Sequence, residues 1–93
     1  MADVRAHSAS RIKLFRKELG WSQAELANRM RDVAVAIDPE AGYDRTSART
    51  ISGWETERQT PSMAKILIMA AAFKVSPLEF CVPDPDRNSI QRF

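Results

Sequence analysis

Side chains able to do covalent or metal chemistry are few in this chain. It holds one cysteine, Cys81, and one histidine, His7, so neither a disulfide framework nor a four-ligand zinc site can be assembled within one copy. A metal shared by His7 and Cys81 between two copies fits by ligand type alone, but a lone imidazole and a lone thiol are more often incidental. No glycine-rich phosphate cradle, paired histidine and cysteine, or nucleophile with an adjacent base is visible. The expectation is therefore a protein that is not an enzyme and uses no metal or cofactor.

Charge is the more informative property. Fourteen Lys and Arg against twelve Asp and Glu leave a net +2, a total that says little. Along the chain the balance is uneven. Residues 1–31 carry seven positive and three negative charges, residues 32–44 carry Asp32, Asp38, Glu40 and Asp44 with no positive charge, and residues 45–74 carry five positive and two negative. Two basic segments around one acidic insert allow a folded surface with a positive face, the usual footprint of polyanion binding. A mixed solvated surface accounts for the charge counts equally well.

The elements that must position these charges are helices. Ninety-three residues suffice for one compact domain and not for two, and no segment shows a sustained strand pattern. Residues 10–19 place Ile12, Phe15 and Leu19 on one face with Arg11, Lys13, Arg16 and Lys17 between them, and Gly20 stops the run. Asp3, Ser8 and Ser10 are all acceptable caps for its start. A second helix opens at Ser22-Gln23-Ala24-Glu25, a capping box with Trp21 and Leu26 as its flanking staple. Its apolar spacing continues through Ala27, Met30, Val33 and Ile37 to Asp38-Pro39, although the alternation of Val33, Val35 and Ile37 also suits a short strand. A third helix begins near Thr46 or Ser47 with Ile51 and Trp54 inward. Thr60-Pro61 and Ser76-Pro77 each place a hydroxyl before a proline and predict helices at about 61–73 and 77–81. The fold class predicted is all-α, a compact five-helix bundle. The longest apolar run, residues 66–73, is too short to span a membrane, and no secretory signal pattern opens the chain. A cytoplasmic protein without membrane contact is the expectation.

Residues 20–27, Gly-Trp-Ser-Gln-Ala-Glu-Leu-Ala, followed by residues 50–61, Thr-Ile-Ser-Gly-Trp-Glu-Thr-Glu-Arg-Gln-Thr-Pro, resemble the Cro and lambda-repressor-like, or XRE-type, helix-turn-helix family. Ile12, Phe15 and Arg16 in the first helix, and Ala70, Phe73, Val75 and Phe80 towards the end, extend the resemblance over roughly residues 10–80. It implies a lambda-repressor-like DNA-binding domain over residues 1–82, with an insertion at about 32–45, and a polar tail over 83–93. It also implies a sequence-specific DNA-binding regulator, most often a repressor, whose second motif helix enters the major groove of double-stranded DNA.

Carried over residue by residue, the resemblance makes Ser47, Ala48, Arg49, Ser52 and Gly53 the outward face of the third helix. Arg49 is the foremost candidate reader, because its guanidinium can donate two hydrogen bonds to one guanine; a phosphate contact or a solvated surface arginine is the plainer reading. Ala48 could meet a thymine methyl, and Gly53 would permit close approach. Gln23 matches the glutamine that clamps the DNA backbone at a helix N-terminus. Arg45 and Thr46 precede the third helix, and Arg58, Gln59 and Thr60 follow it; these would set register and salt dependence without reading sequence. Arg16 and Glu55 hold positions that pair in the family, an architectural tie. Trp21 and Trp54 stand at core positions, so packing outweighs base stacking as their role.

The chain departs from the family in three places. From Ala27 to Ile51 it uses far more residues than a tight turn needs, and the surplus holds the acidic block. That insert could be a long second helix with a loop projecting away from DNA, a protein-binding element, or a device that repels non-specific DNA; the first is simplest. Glu57 and Lys74 stand where the family usually has glycines. The fourth helix is apolar on all sides, with Met63, Ile66, Leu67, Ala70 and Phe73 towards the core and Ile68, Met69, Ala71 and Ala72 on the opposite side, which suggests a homodimer contact through Ile68, Met69 and Ala72, together with the fifth helix and the tail. A monomer that covers Ile68 with its tail is the alternative. A dimer would read a palindromic operator with half-sites about one helical turn, or a multiple, apart. The competing functional reading is a protein-interaction module, antitoxin-like or repressor-modulating, that acts through the acidic insert or the fourth helix.

Overall fold

The computed structural model describes residues 4–41 and 45–81. Among them are five α-helices, one short 3-10 turn and no strand. Helix α1 spans Val4–Glu18, α2 Gln23–Ile37, α3 Ala48–Glu55, α4 Met63–Phe73 and α5 Leu78–Cys81, with the 3-10 turn at Pro39–Ala41. No helix among the described residues is long and apolar enough to cross a membrane. The tail at 83–93, Tyr43 and Asp44 lie outside the described residues.

Local sequence rules account for most of the boundaries. Ser22 accepts from Glu25 N at 3.0 Å and opens α2. The Glu25 carboxylate, however, accepts from Arg29 Nε one turn on, at 2.7 Å, in the favourable i,i+4 order. Ser47 accepts from Thr50 N and opens α3. The α2 helix does continue to Ile37 before Asp38-Pro39 ends it. Gly20 ends α1 in the left-handed conformation, φ 71°, and Glu57 and Lys74 adopt the same conformation, φ 64° and 62°. A side chain there costs roughly 1–2 kcal/mol relative to glycine.

One start decides among the alternatives of the sequence and another differs from its expectation. Helix α1 begins at Val4, as the earliest of the three candidate caps, Asp3, allows, so Ser8 and Ser10 are mid-helix residues and not caps. Its extra turn is stabilised from the far end of the chain: Ser8 Oγ donates to the Phe80 carbonyl at 2.7 Å, and His7 Nε2 donates to the Glu79 carbonyl at 2.9 Å. The imidazole therefore clasps α5, and Cys81's side chain lies outside the described residues. Helix α4 begins at Met63 with Ser62 as its cap, accepting from Lys65 N. Pro61 precedes the cap and is buried, so the nearer hydroxyl displaces the Thr60-Pro61 device.

Ile12, Leu26, Ala27, Met30, Ile51, Trp54, Ile66, Met69, Ala70, Phe73 and Phe80 form one core. At its α1 end four aromatic rings meet: Phe15 lies 5.6 Å from Phe73 and 5.7 Å edge-on from Phe80, and Trp21 stacks on Phe73 at 5.6 Å. Such pairs add roughly 0.5–1.5 kcal/mol each beyond their burial, and they join α1, α4 and α5 across the chain. Leu19, expected inward, is exposed; it lies just past the last helical residue of α1, Glu18.

Helix α4 corrects the expected faces. Met69, placed outward by the sequence, is 0% exposed, whereas Met63 and Leu67, placed inward, are 58% and 50% exposed. Ile68 and Ala72 are half-buried and packed against the core. A helix apolar all round carries no internal sign of which side faces in, and here Ile66, Met69, Ala70 and Phe73 win the core.

Candidate functional site

Helices α2 and α3 pack on each other, and α1 and α4 hold them from behind. The joint is electrostatic at one end. Arg16 Nε donates to Glu55 Oε2 at 2.8 Å and its Nη2 to Oε1 at 3.1 Å, a bidentate pair, while its Nη1 donates to the Trp21 carbonyl at 2.8 Å. Gln23 Nε2 donates to the same Oε1 at 3.2 Å. The structure thus brings together the end of α1, the entry to α2 and the last turn of α3. The side chains of Arg16 and Glu55 are only 12% and 3% exposed, so each offsets the other's desolvation.

The hydrogen bond to Glu55 raises the Arg16 guanidinium above its ordinary value; burial opposes this and Coulombic attraction adds to it. A raised value means the stabilisation is fully present below the ordinary arginine range and is lost only above it. The guanidinium is charged at any pH at which the protein works.

Helix α3 divides into two faces. At about 100° per residue, Ile51 and Trp54 point into the core, and Arg49 and Thr56 lie opposite them. Arg49 is exposed, Ala48 and Ser52 are half-buried, and Ser47 is exposed at the cap. Ser47 Oγ also lies 3.2 Å from Thr50 Oγ1, a contact that orders the first turn. Arg45 is exposed just before this turn, and Arg58, Gln59 and Thr60 are exposed just after the helix. Gln23, Arg45, Ser47, Arg49, Ser52 and Arg58 are thereby set on and around the α2–α3 pair.

Two expected contact residues do not sit as expected. Thr46 is buried, at 3% exposure, which removes its side chain from any outer surface. Gly53 is also buried: a Cβ built on it would lie 3.2 Å from Gln59 Cδ, so the open approach expected there is filled by a neighbour's side chain.

Thr56 is the residue that the sequence did not single out. Its Oγ1 donates to the Ser52 carbonyl at 2.8 Å and accepts from Arg58 Nε at 3.2 Å. The last turn of α3 therefore aims the arginine of the following loop. A threonine at a helix C-cap is an ordinary enough feature that only the position of Arg58, two residues on, could have drawn notice to it.

Trp54 lies in the core, and Trp21 is half-buried, with Phe73 stacked on it and the Arg29 guanidinium 5.0 Å from its ring centre. The packing reading of both tryptophans agrees with this placement.

No protein-family profile matches the chain. A protein described as "Neisseria hypothetical transcription factor", from Neisseria meningitidis serogroup B (strain ATCC BAA-335 / MC58), is 34% identical over 85 residues, spanning 91% of this chain and 67% of that protein. The crystal structure of hypothetical transcription factor NHTF from Neisseria superposes with a TM-score of 0.67 at 31% identity, covering 95% of this chain and 85% of that one.

Proposed function

Since the chain belongs to the family of the Neisseria hypothetical transcription factor, we propose that it is a sequence-specific DNA-binding regulator of the Cro and lambda-repressor-like type, acting as a repressor without catalytic activity. Residues 1–82 form the binding domain in this reading, and α3 enters the major groove with its N-terminal turn leading. The observation that carries it is the exposed face of α3: Arg49 projects opposite the buried Ile51 and Trp54, on a helix fixed from behind by the Arg16–Glu55 pair.

Arg49 reads a guanine edge through two donated hydrogen bonds, with Ser47, Ala48 and Ser52 beside it. Gln23, at the N-terminus of α2, takes a phosphate with the amide N–H that its bond to Glu55 leaves over, together with backbone N–H groups of the first turn. Arg45, Arg58 and Thr60 contact the backbone and fix register. A twofold dimer binds a palindromic operator; the apolar side chains that α4 leaves exposed, Met63 and Leu67, are the contact in place of the buried Met69.

Selection of bound DNA from a random pool tests this. The expected product is a palindromic consensus with half-sites about one helical turn, or a multiple, apart. Arg49→Ala then costs about 1–3 kcal/mol and relaxes one base position, whereas Arg58→Ala weakens all sequences alike and lowers the salt slope by about one. No enrichment, or equal loss on cognate and random DNA for Arg49→Ala, overturns the reading role. Sedimentation that finds only monomer, free and on DNA, removes the dimer.

A second reading draws on the exposed Val35 and Ile37, which lie beside Asp38 and Glu40 at the end of α2: a protein-interaction module that binds a partner through this insert. Co-purification of a stoichiometric partner, lost in Ile37→Asp, together with no retardation of DNA upstream of the gene, would favour it.

A further inference from the structure

On the outer side of α3, Ser52 and Gly53 flank the exposed pair Arg49 and Thr56, given about 100° per residue. A glycine in that position would ordinarily be open to water, yet Gly53 is buried. What covers it is the loop that follows. A Cβ built on Gly53 would lie 3.2 Å from Gln59 Cδ, 3.4 Å from its Oε1 and 3.5 Å from its Cγ. The backbone fixes the glutamine there: Arg58 N and Gln59 N both donate to the Gly53 carbonyl, at 2.9 and 3.1 Å. The left-handed Glu57 turns the chain back to make this possible. Gln59 itself is exposed, and among the described residues its carboxamide makes no hydrogen bond.

We infer that Gln59 is a base-reading residue supplied to α3 by the loop, its carboxamide standing where Gly53 has no side chain and taking an adenine edge in the major groove. The inference rests on the proposed groove docking of α3. The amide N–H donates to adenine N7 while the amide oxygen accepts from the N6 amino group, the two-point match of a glutamine to adenine. A side chain aimed at phosphate would follow the loop away from the helix; this one lies back over the outer face and is carried into the groove with it. Glycine at 53 is then the seat for the amide and not a gap in the reading surface.

The test is random-pool selection with the intact chain as wild type, Gln59→Ala and Gly53→Ala, at one fixed salt concentration. Wild type is expected to enrich an A·T pair in each half-site. In Gln59→Ala the preference at that pair falls about tenfold while other positions keep theirs. Gly53→Ala loses preference at the same pair, because the new methyl displaces the amide. Uniform weakening of all sequences in Gln59→Ala assigns the residue to the phosphate backbone and overturns the inference, while a selected consensus leaves groove docking standing. Absence of any consensus with wild type overturns groove docking and this inference together. Gln59→Ala alone decides the matter should Gly53→Ala fail to fold.

Discussion

The two halves of α2 share one helix and little else. From Gln23 to Met30 it is anchored: Leu26, Ala27 and Met30 are buried, Ser22 caps the first turn, and Gln23 is tied to Glu55. From Arg31 to Ile37 no residue is fully buried, Ile37 is 68% exposed, and the last turn has no basic residue to meet the helix dipole. Val33, Val35 and Ile37 are also β-branched and lose rotamer freedom in a helix. The second half persists because adding a turn to a formed helix is far easier than nucleating one. Regular structure in a chain is thus no proof of packing; a helix can be carried outward by the anchored part behind it.

Mutations separate the halves most sharply in the core. Met30→Ala is expected to lower stability by about 3 kcal/mol in urea titration, through lost burial and a cavity. Equal stability in the variant would mean that the first half is not anchored. Glu55→Ala follows at about 2–3 kcal/mol, since it strands the Arg16 charge, whose slight exposure gives it partial recourse to water. Ser22→Ala removes the cap and costs about 1 kcal/mol, measurable as a lower thermal midpoint. Ile37→Ser, in the outer half, changes stability by no more than about 0.5 kcal/mol. Amide exchange sharpens the contrast: residues 35–37 exchange through local fraying, and residues 26–30 only through global unfolding. Equal protection across the helix would remove the distinction.

Features governed by neighbours in sequence were legible in advance. The caps at Ser22 and Ser47, the inward Ile51 and Trp54, and the run of α2 to Ile37 all follow from spacing over a few residues. Features set by distant contacts were not. The first turns of α1 contain no apolar period, and they are ordered by α5, more than seventy residues away. The orientation of α4 could not be read because every side of it is apolar. Of the candidate site, the exposed Arg49 and the meeting of Arg16 with Glu55 match positions that the family resemblance marks. Thr46 and Gly53 are covered, one by burial before α3 and the other by a side chain that folds back from beyond the helix, and neither cover has a signal in the local sequence. Glu57 and Lys74 show the reverse case: a side chain at a glycine position does not abolish the turn when the flanking hydrogen bonds hold it.

The clasp between α1 and α5 has a consequence for synthesis. Ser8 and His7 find their partners at Phe80 and Glu79, and Phe15 packs on Phe73 and Phe80. A growing chain cannot complete this core until residue 80 has cleared the ribosome tunnel. Until then Ile12 and Phe15 lack part of their cover, and the nascent segment is open to chaperones and proteases. Folding of α1 is thereby timed by the translation of α5.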